Sequence, residues 1–218
     1  YYPKSRKCLY VPGTRNNESN VGTAVAAYVV EKVSGMSFED YVDRYLFKPM
    51  GIEHISFYNT KHYQKVGASL YENGVKLSYF NILYRPAAAI NASPKDFAKV
   101  VALFVNGGVV NGTRILSDSS IRRMERSESM GTLSRTRLFK WMGLSNMGTY
   151  YNGVLYHGFG GSLPGGNAAS AYLPEYKLGF AVMVNDGNED ITDIIAEQVA
   201  NFQVSRLPKA PEQGADIK

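Results

Sequence analysis

Cysteine is almost absent: Cys8 is the one cysteine in 218 residues, so no disulfide within the chain staples the fold. The composition, 44% hydrophobic and 20% charged, is that of an ordinary globular chain and excludes a chain disordered throughout or a fibrous repeat. A chain this long buries roughly 70% of the surface its unfolded form exposes, so it needs no staple. No apolar run approaches the roughly 20 residues that cross a bilayer. Histidine is scarce, and His54 and His62 stand in loop-rich sequence without metal-ligand spacing, so neither a metal nor another cofactor is expected. Zinc-finger spacings, RNP-type aromatic strands and long basic helices are all missing. The net charge of +5 therefore reads as a solvated basic face and not as a nucleic-acid interface. Two nucleophile signatures are missing as well. No serine stands three residues before any lysine, and Gly-x-Ser-x-Gly does not occur.

What is present is a series of well-punctuated helices followed by strands. Val21, Val25, Tyr28, Val29 and Val33 recur at helical spacing, and Gly35 is a natural stop. Ser37 and Asp40 open a second helix as an approximate capping box, ended by Pro49 and Gly51. Residues 52–86 read as an irregular, Tyr-rich excursion whose aromatics are numerous enough to line a groove. Ser93-Pro94-Lys95-Asp96 starts a helix that Gly107-Gly108 closes, and another is expected from Ser117 through Met124. Residues 127–140 read as a Ser- and Arg-rich loop. Strands are expected at 154–156, 169–173 and 178–184. The glycine-rich run Gly160–Gly166 lacks a Walker lysine and reads as a tight turn with backbone donors. A closing helix from Ile191 to about Val204 carries Ile191, Ile194, Ile195, Val199 and Phe202 on one face. Helices, then an antiparallel meander, then a packing helix predict an α+β fold. Residues 1–207 are expected to form the domain, with 208–218 a flexible tail.

Several of these strings together resemble one family. PGTRNNESNVG, followed by a helix ending VSG and then SFEDYVDRYLFKPMGI, resembles the segment around the Tyr-x-Asn motif of class C β-lactamase-like serine hydrolases. PAAAINASPKDFAKVVALFVNGGVVNGTRILSDSSIRRM resembles the helical segment that follows. YHGFGGSLPGG through LPEYKLGFAVMVND resembles the Lys/His-x-Gly strand and its neighbour. The resemblance runs from about Pro12 to Phe202 and implies a β-lactamase/transpeptidase-like antiparallel sheet with packed helices. It also implies acyl transfer on amides, β-lactams or esters, as in β-lactamases, DD-peptidases and esterases, with small-molecule or peptide substrates. It suggests a periplasmic or extracellular protein. In that family a serine of Ser-x-x-Lys attacks the carbonyl and the lysine, one helical turn on, activates it.

Both remaining motifs depart from the family pattern. Glu18-Ser19-Asn20 stands where Tyr-Ser-Asn is usual. Asn20 can hold a substrate amide, and Glu18 can accept a proton as a carboxylate base or be an exposed loop acid. For the later motif two alignments exist. Tyr156-His157-Gly158 keeps the following turn in register and replaces the cation by a phenol. His157-Gly158-Phe159 keeps the imidazole but loses the glycine that lets substrate approach. The expected site is therefore Glu18, Asn20, Tyr156 and His157 for chemistry, with Gly158, Phe159 and Gly160 binding substrate. With no Ser-x-x-Lys and a tyrosine at position 1, the sequence reads as the last two-thirds of a family domain. The nucleophile then comes from an N-terminal fragment or a second chain; the alternative is an inactive relative serving as a binding or scaffolding module.

Overall fold

The computed structural model describes residues 19–126, 141–144 and 146–208. Glu18, the expected loop at 127–140 and the expected tail beyond Pro208 lie outside them. Helix α1 (Asn20–Ser34) is capped at its start by Ser19, whose hydroxyl accepts from Gly22 N–H, and stopped by Gly35 at φ 70°. Helix α2 (Phe38–Val42) begins on Ser37, as the capping box predicts, and runs into a π-helical turn at Asp43–Phe47. Within 52–86 the chain forms a short helix α3 (Lys61–Val66) and the hairpin β1 (Leu70–Glu72) with β2 (Val75–Leu77). A single turn, α4 (Arg85–Ala88), packs on α1, and Arg85 is paired to the buried Glu39 of α2 at 2.7 Å.

Helix α5 (Pro94–Val105) starts on the Ser93 cap with Pro94 in its first turn, where the missing N–H costs nothing. The small ribbon β3 (Val109–Val110) with β4 (Thr113–Arg114) leads to α6 (Asp118–Glu125), capped by Ser117. The main sheet has five antiparallel strands in chain order: β5 (Trp141–Met142), β6 (Met147–Tyr151), β7 (Val154–Leu163), β8 (Gly166–Leu173) and β9 (Leu178–Val184). Helix α7 (Glu189–Val204) closes the described chain. The mixed helical and antiparallel content is the α+β fold expected.

Each face of the sheet is covered by one helix. Tyr156, Ala171, Leu173 and Phe180 meet Ala196 and Ala200 of α7, while Tyr172 meets Val101 and Val105 of α5. The sheet supplies the bulky rings on the first face, so α7 supplies small residues and lies close. The expected apolar face of α7 is thus turned: Thr192, Ala196 and Ala200 are buried, and Ile191, Ile194, Ile195 and Phe202 are exposed. The stripe of α1 is likewise exposed, with only Ala27 of that helix buried. β9 ends the sheet; along Leu178–Val184 no strand pairs with its outer side among the described residues, and just beyond it Tyr71 of β1 bridges Asp186 in parallel.

Candidate active site on the outer edge of β7

Two hairpins set the register of β7. It is joined to β6 by the two-residue turn Asn152-Gly153, both at positive φ, and to β8 by Pro164-Gly165. Residues flanking a two-residue turn exchange N–H and C=O, so Val154 directs its main chain towards β6 and Leu163 towards β8. Alternation then sends every even residue of β7 towards β6 and every odd one towards β8. Two contacts agree with this: Gly158 N–H donates to the side chain of Asn146 just ahead of β6, and Ser170 Oγ donates to Phe159 C=O. β6 pairs only as far as Gly158, whereas β8 pairs on to Leu163. Among the described residues no strand pairs with the N–H and C=O groups of Gly160 and Ser162, which therefore face an open edge. The glycine-rich run expected as a turn is mostly strand.

The glycines here differ in what they are for. A Cβ on Gly158 would come to 2.0 Å of Ser170 O, so the approach of β8 itself requires glycine there. At Gly160 the nearest atom would be Ala168 O at 3.4 Å, and at Gly161 nothing lies within 4 Å. Neither has positive φ. Packing does not demand them, and bare backbone inside a strand marks a place where another chain or ligand comes close.

The expected site residues divide between the two faces and the edge. Tyr156 is 0% exposed in the core beneath α7, and its hydroxyl donates to Gln203 Oε1 at 3.2 Å. His157 and Phe159 point to the opposite face, where His157 lies 5.7 Å from the Tyr172 ring and Phe159 is 39% exposed. Gly158 is bonded to Asn146, and Gly160 stands at the start of the open edge. Asn20 is exposed at the first position of α1. No hydrogen bond, ion pair or ring contact among the described residues links Asn20 to Tyr156, Gly158, Phe159 or Gly160. Ser162, which carries the second outward N–H, and Asn146 were not expected. Counting outward from either two-residue turn gives Ser162; nothing in the sequence pattern gives Asn146.

Burial governs the titrating groups behind the edge. It pushes the Tyr156 phenol up, with Tyr151 adding to the effect. It pushes His157 below its usual value against the pull of Glu175, which keeps the imidazole neutral near pH 7. The Tyr172 phenol is raised by burial and then by the Glu125 charge, while Glu125 is itself raised, first by burial. The imidazole and the phenols are thus neutral hydrogen-bonding groups at neutral pH. His54 and His62 stack face to face at 4.0 Å, and among the described residues no group of three or more His, Cys, Asp or Glu is placed to hold a metal. No described helix is long and apolar enough to cross a membrane.

An α+β domain with an antiparallel sheet, helices on both faces and an open, glycine-lined strand edge is the class of structure defined so far. A family model, Beta-lactamase, matches residues 2–201, and the chain belongs to that family. It is 20% identical over 201 residues to "Probable hydrolase M10" of Phoma sp., covering 89% of this chain and 31% of that protein. The octameric penicillin-binding protein homologue from Pyrococcus abyssi superposes with a TM-score of 0.77 at 23% identity, over 90% of this chain and 44% of that one. The β-lactamase/D-alanine carboxypeptidase from Pseudomonas syringae does so at 0.74 and 12% identity, over 94% and 64%. The chain thus spans about a third of the length of its curated relative and about half to two-thirds of these solved chains.

Proposed function

We propose that this chain supplies the sheet and the substrate-docking edge of a serine hydrolase that performs acyl transfer on an amide, β-lactam or ester. The observation that carries the reading is the open edge of β7, where Gly160 and Ser162 present outward main-chain groups. A substrate backbone laid along that edge pairs with it as an added strand would. When a serine oxygen attacks the carbonyl, the π electrons move onto the carbonyl oxygen, and an outward N–H stabilises the developing charge. The serine proton passes to a base and then to the leaving amine or alkoxide. Phe159 offers the substrate an apolar wall, Asn20 acts as amide holder from the start of α1, and Glu18 acts as carboxylate base. Tyr156 serves from within the core, as a support for the strand.

The nucleophile in this reading comes from a Ser-x-x-Lys segment outside these 218 residues, in the same polypeptide or on a second chain. The lengths of the relatives support that, as do the exposed stripe of α1 and the side of Leu178–Val184 that no described strand pairs with, which such a segment would cover. D-Alanyl peptides and penicillins are the first substrates to test, because the matched Pseudomonas syringae protein is a β-lactamase/D-alanine carboxypeptidase. No cofactor takes part in this chemistry, and a periplasmic or extracellular location accords with it. The test is labelling of the full-length gene product with a fluorescent penicillin and a fluorophosphonate. A covalent adduct on the full-length protein and none on residues 1–218 alone is the expected result. Folded full-length protein that takes neither label, beside a control hydrolase that does, would instead establish a binding or scaffolding relative.

A further inference from the structure

β7 stays open beyond Gly158 because β6 begins at Met147, and the side chain just ahead of that point bonds back to β7. Asn146 sits immediately ahead of β6 and is 4% exposed. Its Oδ1 accepts the Gly158 N–H at 2.9 Å, and its Nδ2 donates to the Tyr172 hydroxyl at 2.6 Å. The Gly158 donor needs an acceptor, which fixes which end of the amide faces the strand. Tyr172 is held in turn: its ring stacks on Phe104 at 5.3 Å, and its hydroxyl faces the Glu125 carboxylate at the end of α6. The turn between β5 and β6 is closed by Gly143 N–H donating to Asn146 C=O at 2.7 Å. A Cβ on Gly143 would reach 2.0 Å from Met124 O, so that turn is pressed against α6. Glu125, Tyr172, Asn146 and Gly158 form one line from the end of α6 to the last paired residue of β7.

We propose that Asn146 is a positioning residue for the docking edge: its amide takes the Gly158 N–H, ends the pairing of β6 at Met147, and fixes the height at which Gly160 and Ser162 meet the substrate. The inference rests on the docking role of that edge proposed above. Removing the acceptor takes one of the bonds that seat the Gly158 N–H and leaves it to the pairing with Met147 alone, and the edge beyond it shifts. A shift of this kind beside a reacting carbonyl is worth up to about 100-fold in rate.

The test compares Asn146→Leu, of similar volume without an acceptor, with Asn146→Asp, which still accepts from Gly158 N–H. Acylation of the full-length protein by a fluorescent penicillin is followed beside thermal melting. Asn146→Leu is expected to acylate roughly 10- to 100-fold more slowly while folded, and Asn146→Asp to stay within about threefold of the native rate. A role in stability alone would lower both melting temperatures and leave both rates native, and that result overturns the proposal. Should Asn146→Leu fail to fold, Tyr172→Phe removes the support of the amide instead. It is then expected to acylate roughly three- to tenfold more slowly, and a native rate overturns the proposal. A native full-length protein that takes no label overturns the hydrolase reading first and this inference with it. A native protein that labels, with variants that label equally well, overturns this inference alone.

Discussion

Ser162→Pro is expected to fold as the native protein does and to lose about 100- to 1000-fold in acylation rate, the usual consequence of deleting one oxyanion donor. Proline deletes the N–H of Ser162, together with its exposed hydroxyl, and fixes its φ. That N–H faces the open side of β7, where β6 has already ended, so no ladder bond is lost. Gly161→Pro is the internal control. The Gly161 N–H faces Ala168 on β8, so its removal breaks the ladder and leaves a carbonyl unpaired, at a cost of about 1–3 kcal/mol. In a protein of this size each kcal/mol lowers the melting temperature by roughly 2–4 °C. Adjacent residues thus give opposite results: Ser162→Pro loses activity and keeps stability, whereas Gly161→Pro loses stability. Melting curves and penicillin acylation measured on both full-length variants check this. The reverse pattern, with stability lost in Ser162→Pro and kept in Gly161→Pro, would mean that the strand alternates the other way.

Tyr156→Ala is expected to cost about 3–5 kcal/mol, because it empties the space of a fully buried ring in contact with Tyr151, Phe180 and the small residues of α7. Tyr156→Phe keeps the ring and deletes only the hydroxyl that donates to Gln203, a loss of about 1 kcal/mol. Its acylation rate is expected to match the native rate. A phenol that touched substrate would give the reverse pattern in the Phe variant, with stability kept and activity lost. Chemical denaturation together with fluorescent-penicillin labelling separates the two.

The architecture was legible where local chemistry decides it. Ser37, Ser93 and Ser117 each cap the helix expected of them, and Gly35 stops α1. The face of α7 was not legible, because its amphipathic pattern puts isoleucines where the sheet, already crowded with Tyr156 and Phe180, accepts only alanine. Nor was the extent of β7: Gly160 and Gly161 carry turn composition, but the Pro164-Gly165 turn three residues further on takes that role. The choice of Tyr156 as a site residue rested on aligning a motif, and no motif tells which way a strand residue points. Asn146 was out of reach of any sequence pattern. It lies 12 residues from Gly158 and 26 from Tyr172 in the chain, and only the folded sheet brings the three together.

The central claim is that Gly160 and Ser162 hold their N–H groups towards an open edge that substrate fills. Residue-resolved amide exchange on the full-length protein, free and after acylation by a penicillin, measures this directly. The expected result is fast exchange at Gly160 and Ser162 in the free protein, slow exchange at Phe159, Gly161 and Leu163, and new protection at Gly160 and Ser162 in the acyl-enzyme. Exchange that is slow at all five residues, or fast at Gly160 and Ser162 with no protection gained on acylation, would contradict it.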